Sequence, residues 1–316
     1  MGRFRLFFAC DIHGSTLAYR RILNVPKFHE VDLIIISGDL CGKSLTRIVT
    51  GGTYIEVWDE RGLVENDVNP AEVDQLSRNF ENNGRYIFRC DKDLNEKVQN
   101  DHELCCTTRN NLAIERLKFW LKLARDKVDT KKVKIVFSPG NDDPKEIDAA
   151  IASHIDDDIM WAYNSVITVN KYDVLTVGDS NITPFKTPRE KREEDLQILL
   201  DNLFQKVKNP KNSICNIHCP PNTSKLDIAE VPSSDKLLFD RSVRRDHVGS
   251  TAVRKALEKY QPMIGLHGHV HESAGIDKIG RTVCFNPGSD YSSGTLTGFL
   301  IHIQDGNLEG YQWLTT

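Results

Sequence analysis

The chain has 316 residues, of which 39% are apolar and 27% charged, and its net charge is -4. That composition suits a globular protein with a large core and excludes a low-complexity chain. The acidic balance argues against non-specific nucleic-acid binding, which needs a basic surface.

Leu6 to Cys10 and Leu33 to Ile36 are continuous apolar runs, the mark of strands buried on both faces. Leu17, Ile22 and Leu23 between them predict a short helix, completing a strand–helix–strand start. From about Cys41 to Asn111 the pattern is mixed, with strands predicted over Thr53 to Trp58 and Tyr86 to Cys90 and a helix over Glu72 to Phe80. We read this stretch as an insertion without an apolar core of its own. Leu117, Trp120, Leu121, Ala124 and Val128 form the apolar stripe of a helix, and Val133 to Phe137 repeats the buried-strand pattern. Val166 to Val169 and Val174 to Val177 flank a hairpin turn at Asn170 to Asp173. An amphipathic helix follows through Leu196, Leu199, Leu200, Leu203 and Val207. Ile214 to Ile217 and Met263 to Leu266 are strands running into histidines, and Thr282 to Phe285, Gly298 to Ile303 and Leu308 to Leu314 close the chain as strands. Crossover helices in front and hairpins behind predict an α/β fold in which two mixed sheets pack together with helices outside. We expect one domain over residues 1–316, with insertions at about 41–111 and 222–250.

The eight cysteines show no regular framework. We therefore expect no disulfides, a reducing compartment and a cytoplasmic location. The apolar stretch between Arg5 and Asp11 is too short for a signal peptide, and no run approaches membrane-spanning length.

Five short motifs carry the chemistry: Asp11-Ile12-His13, Gly38-Asp39, Gly140-Asn141-Asp142, Ile217-His218 and Gly268-His269-Val270-His271. All but the Gly140 motif follow an apolar run directly, so their polar side chains should gather where strands end. In open α/β sheets that rim is where ligands bind. Each motif alone is weak, since an isolated Asp-x-His is usually a turn and an isolated His a satisfied core residue. Together and in order they point to a metal centre. His267 alternates with His269 and His271 and is expected to face away from the metals.

In that order the motifs resemble the calcineurin-like metallophosphoesterases. His218-Cys219-Pro220-Pro221 and Asn286-Pro287-Gly288-Ser289 resemble a subgroup of predicted phosphoesterases related to cyclic-nucleotide phosphodiesterases. The resemblance implies a four-layer α/β/β/α sandwich and a binuclear metal-dependent hydrolase of phosphoester bonds. It implies that Asp11, His13, Asp39 and His271 bind one ion and that Asn141, His218 and His269 hold the second, with Asp39 bridging. A bridging carboxylate suits two cations about 3.5–4 Å apart, whose joint charge turns a bridging water into hydroxide that attacks phosphorus. Imidazole with carboxylate suits Mn²⁺, Fe, Zn²⁺ or Co²⁺ over Mg²⁺ or Ca²⁺, and we expect two divalent ions, Mn²⁺ before the others. Asp142 and His218 are the residues expected to act in catalysis. The expected partner is a small phosphorylated substrate, a phosphodiester or nucleotide before a monoester, with no membrane or nucleic acid; a homo-oligomer stays open. The alternative is a non-catalytic, protein-binding scaffold on the same fold.

The chain departs from the pattern at Asp142, where many members of the family carry a His that protonates the leaving group. An ionised Asp cannot serve as an acid, a loss worth about 10²–10⁴ in rate for poor leaving groups. Asp142 is then a proton-sharing acid, or the leaving group is a good one (aryl, nucleotide or pyrophosphate), or metal-bound water supplies the proton; the plainest reading makes Asp142 a turn residue or a support for the ligands. Asp143, before Pro144, is expected to cap the following helix. Asn222 to Ser250 reads as a polar loop whose Lys236, Arg241, Arg244, Arg245 and His247 could supply cations to a phosphate. Ser250 or Thr251 should cap the helix of Val253, Ala256 and Leu257.

Overall fold

The computed structural model describes residues 2–51, 54–232 and 243–316. Two six-stranded mixed sheets form its centre. In the first, Arg3–Cys10 lies parallel to Leu33–Ser37, which lies parallel to Lys134–Ser138 and it to Ile159–Trp161. Thr297–Gln304 and Asn307–Thr315 complete it as an antiparallel edge. In the second, Tyr172–Val177, Ile214–Ile217, Ile264–Leu266 and Thr282–Asn286 run parallel, flanked by antiparallel Ser165–Val169 and Gly275–Ile279.

The continuous apolar runs are explained by which face each residue serves, because side chains alternate along a strand. Phe7, Ala9, Ile34, Ile36, Ile135 and Phe137 face a helical layer and pack with Trp120, Leu117 and Ala124. Their neighbours Leu6, Phe8, Leu33, Ile35 and Val136 face the second sheet, meeting Val174, Ile264, Leu266 and Phe285. The far face of the second sheet, with Leu175, Val177, Cys215 and Ile217, packs on Leu196, Leu200, Val253 and Leu257. Three parallel cores between four layers give the expected α/β/β/α sandwich.

Helices start where short polar side chains satisfy free N–H groups. Ser15 caps the helix Thr16–Phe28 by accepting from Ala18 N at 3.2 Å, and Ser250 caps Thr251–Tyr260 by accepting from Val253 N at 3.1 Å. The helix His102–Lys127 begins well before its apolar stripe, because Asp101 accepts from Leu104 N at 3.0 Å and sets the first turn.

Two expectations are corrected. The stretch from Leu45 to Cys90 forms a four-stranded sheet with a small apolar cluster of its own, in which Ile48, Val57, Val68 and Val73 pack with Ile55, Leu76, Phe80 and Ile87. These residues are scattered in sequence and meet only across strands, so no local run announces them. Asn222 to Ser250 is not all loop, since Ile228–Pro232 and Val243–His247 pair as antiparallel strands. Thr53, Lys236 and Arg241 lie outside the described residues. Among the described residues no helix is long and apolar enough to cross a membrane.

Candidate metal centre

The parallel strands of both sheets deliver the motif residues to one rim. Asp11 and His13 follow Arg3–Cys10, Asp39 follows Leu33–Ser37, and Asn141 follows Lys134–Ser138. From the second sheet, His218 follows Ile214–Ile217, and His269 and His271 follow Ile264–Leu266.

There they converge. Ligand-type atoms of Asp11, His13, Asp39 and His271 all lie within 4.8 Å of one another. His13 Nε2 is 3.1 Å from His271 Nε2 and 3.7 Å from Asp39 Oδ2. Beside this group, Asn141 Oδ1 sits 2.9 Å from His218 Nε2 and 2.7 Å from His269 Nδ1. His218 Nε2 lies 3.5 Å from Asp39 Oδ1, so Asp39 stands between the two halves. Asp11, His13, Asp39, Asn141 and His218 are each at most 3% exposed.

The backbone is strained where it presents these groups. Asp11, His13, Asp39 and His269 have φ of 53°, 40°, 33° and 68°, in the left-handed region that non-glycine residues avoid. Such strain costs on the order of 1 kcal/mol or more per residue and persists only where surrounding structure enforces it. Two glycines allow the crowding. A Cβ on Gly140 would lie 2.2 Å from both Asp39 N and Asp39 Oδ1, and one on Gly268 would lie 2.2 Å from Asp11 Oδ2. We expect Gly140→Ala to push Asp39 out of place at a cost of about 1–3 kcal/mol, the usual range for overpacking. Manganese titration and thermal melting would check it; wild-type metal affinity and midpoint would refute it.

Electrostatics favour a cation here. Burial, with Asp142 and Asp11 nearby, pushes Asp39 well above the ordinary carboxylate range. Burial also pushes Asp11 up, but His218 and His271 outweigh it and hold Asp11 low. Burial lowers His13 and His218 and brings His269 down to about 3, so these imidazoles are neutral and ready to ligate. Asp11 Oδ1 and His218 Nδ1, 3.8 Å apart, have no hydrogen-bond partner among the described residues. Buried acids, neutral imidazoles and unpartnered ligand atoms together fit a divalent ion of the Mn²⁺ or Zn²⁺ type. His267 does face away: its Nδ1 donates to Ile217 O at 2.8 Å, and burial lowers it to about 4.

Asp143 corrects its sequence reading. The helix Glu146–Ile151 has Lys145 at its N-cap with no side-chain cap. Instead the buried Asp143 carboxylate accepts from Leu40 N at 2.9 Å, Cys41 N at 2.7 Å and Gly140 N at 2.8 Å. It thereby ties the loop of Asp39 to the loop of Asn141. Asn286 and Ser289 act similarly, the first donating from Nδ2 to Val270 O at 2.9 Å and the second from Oγ to Asp11 O at 2.5 Å.

Asp142 is held at both its side chain and its backbone. Its carboxylate pairs with the Lys43 ammonium, while its N–H donates to Asp39 Oδ1 at 2.9 Å. Of the cations singled out in the sequence, the described ones pair nearby: Arg244 with Asp246, Arg245 with Glu230 and His247 with Asp227. Two neighbours of the centre had no sequence signal. The Tyr291 ring stands 4.5 Å from the His13 ring, and Thr187 Oγ1 accepts from Asn141 Nδ2 at 2.8 Å.

No protein-family model matches the chain. It is 35% identical over 160 residues to an uncharacterized protein of Methanocaldococcus jannaschii, covering 49% of this chain and 64% of that relative. The match thus spans less than two thirds of the relative's length. Among solved structures, the protein TT1561 of Thermus thermophilus is 11% identical, with 100% of this chain and 99% of that one covered and a TM-score of 0.54. An archaeal phosphodiesterase is 8% identical over 99% of this chain and 100% of its own, at a TM-score of 0.39. At 11% identity the likeness to the Thermus thermophilus protein is one of fold, with two sheets packed between helices in this chain.

Proposed function

We propose that the chain is a binuclear metal-dependent phosphoester hydrolase. The observation that carries this reading is the meeting of Asp11, His13, Asp39 and His271 within 4.8 Å, next to Asn141, His218 and His269. Asp11, His13, Asp39 and His271 would hold one ion and Asn141, His218 and His269 the other, with Asp39 shared. Two bound cations, Mn²⁺ in this reading with Fe, Zn²⁺ or Co²⁺ as alternatives, would supply the charge that ionises water and neutralises phosphate oxygens. The chain's own contribution is placement. Neutral imidazoles leave the site's formal negative charge on Asp11 and Asp39, and the left-handed backbone aims both carboxyls inward. Lys43 lies at the edge of the centre, close enough for its charge to lower His13, and offers an ammonium to a phosphate oxygen. Asp142, paired with Lys43, orients that ammonium. The substrate in this reading is a small phosphodiester or nucleotide, and the unbridged cysteines agree with a cytoplasmic setting.

The test is hydrolysis of bis-p-nitrophenyl phosphate by the purified chain with and without Mn²⁺, alongside elemental analysis. Turnover that rises with Mn²⁺, falls with chelator and accompanies two bound ions per chain is the expected result. A chain that binds no metal and turns nothing over would instead be a protein-binding scaffold.

A further inference from the structure

A cavity of about 750 Å³ opens beside the metal centre, walled by parts of the chain far apart in sequence. Lys43 and Asp142 form its boundary with the centre, and Asp142 N reaches Asp39 Oδ1 at 2.9 Å. Arg109, Lys145 and Lys186 line it further out, so four cationic groups face two carboxylates, Asp142 and Glu146. In a chain of net charge -4 that is a local reversal of sign. Only Lys43 of the four has a carboxylate within ion-pair distance among the described residues. Phe185, 84% exposed, stands at the cavity as an uncovered aromatic ring.

The loop carrying Phe185 and Lys186 is held rather than loose. Glu190 accepts from Thr187 N at 2.9 Å and Thr187 Oγ1 at 2.8 Å. Thr187 Oγ1 also accepts from Asn141 Nδ2, which ties the loop to the centre itself. Lys186 sits at φ 53°, a left-handed conformation that a lysine adopts only when its surroundings demand it.

Resting on the hydrolase reading, we infer that the bond cut is a phosphoanhydride, whose departing nucleotide occupies this cavity. Arg109, Lys145 and Lys186 receive its phosphate and Phe185 stacks on its base. Arginine and lysine are the usual receivers of phosphate, and aromatic rings accept any base face. The cavity begins at the Lys43–Asp142 pair, next to Asp39, and in this reading the phosphate it receives is the one joined to the reacting phosphorus. In the reaction a water oxygen bonds to that phosphorus, and the bond from phosphorus to the bridging oxygen breaks. The electron pair stays on the nucleotide's phosphate. One water is consumed and two protons go to solvent at neutral pH. A departing phosphate monoester, with a second pKa of about 6, needs no protonation. That matches an edge where the Asp142 carboxylate is paired with the Lys43 ammonium.

ADP-ribose is a suitable probe, with bis-p-nitrophenyl phosphate as the control for the hydrolase reading. The Mn²⁺-loaded chain should cleave ADP-ribose with kcat/KM about 100-fold above the control, whose leaving group also needs no acid but which has no phosphate for the cavity to hold, the scale of one or two charge-assisted hydrogen bonds. In H₂¹⁸O the label should enter ribose 5-phosphate and not AMP. Independently of turnover, calorimetry should show AMP binding to the metal-free chain, weakened tenfold or more in Lys145→Glu/Lys186→Glu. Turnover of the control without preference for ADP-ribose, label in AMP, or unchanged AMP affinity in the double variant would each overturn the inference and leave the hydrolase reading standing. Failure of both substrates would remove both.

Discussion

Replacing Asp39 by Asn is expected to abolish metal binding and turnover together while leaving the fold intact. Asp39 stands between the two halves of the centre, 3.7 Å from His13 Nε2 and 3.5 Å from His218 Nε2. Asn has the same shape and can still accept from Asp142 N, so local geometry survives. What disappears is the negative charge shared by two cations, worth several kcal/mol at the transition state, or about 10³ in rate and beyond. The metal-free protein should not lose stability. Burial together with Asp142 and Asp11 already disfavours ionisation of Asp39, so a neutral amide removes a repulsion. Elemental analysis after dialysis, kcat on a chromogenic diester and a thermal melt read the three effects. A variant that keeps two ions and the wild-type rate would place the catalytic centre elsewhere.

Asp143→Ala is expected to produce the largest loss of stability among changes near the centre. Asp143 is buried and accepts from three backbone N–H groups, those of Leu40, Cys41 and Gly140. Removing the acceptor strands all three in the interior, at about 1–3 kcal/mol each. The loss should therefore reach about 3–9 kcal/mol in denaturant unfolding, a large share of a typical domain's stability. Activity should fall as well, because the same three bonds hold the loops of Asp39 and Asn141 together. Asp143→Asn keeps an acceptor oxygen and should lose less of both, which retains a measurable case should the Ala variant fail to fold. A change below about 1 kcal/mol in Ala would mean that water or rearranged backbone replaces the carboxylate.

Asp142 and Asp143 illustrate how differently adjacent residues can be read. In sequence both are carboxylates before a proline, open to capping, acid or turn roles. In the folded chain one binds an ammonium 99 positions earlier and the other binds backbone roughly a hundred positions earlier. Apart from Gly140 N, three positions before Asp143, these partners lie within no helical turn or hairpin of the carboxylates, so no local periodicity could have pointed to them. The small apolar cluster around Ile48 and Val57 was hidden for the same reason, as was Tyr291 against His13.

The sequence by itself determined the layers and the order of the motifs. Buried parallel strands must be apolar along their whole length, and residues just past their ends must share a rim. The rim residues Asp11, His13, Asp39, Asn141, His218, His269 and His271 were legible because each adjoins such a strand or its turn. Only the tertiary structure decided how these groups face one another. The positive φ of Asp11, His13, Asp39 and His269, the close approach at Gly140 and Gly268, and the pairing of Lys43 with Asp142 are all imposed by packing between distant segments. The basic cavity is the extreme case, since residues near 43, 109, 145 and 186 share no pattern and become neighbours only when two sheets and their helices close around them.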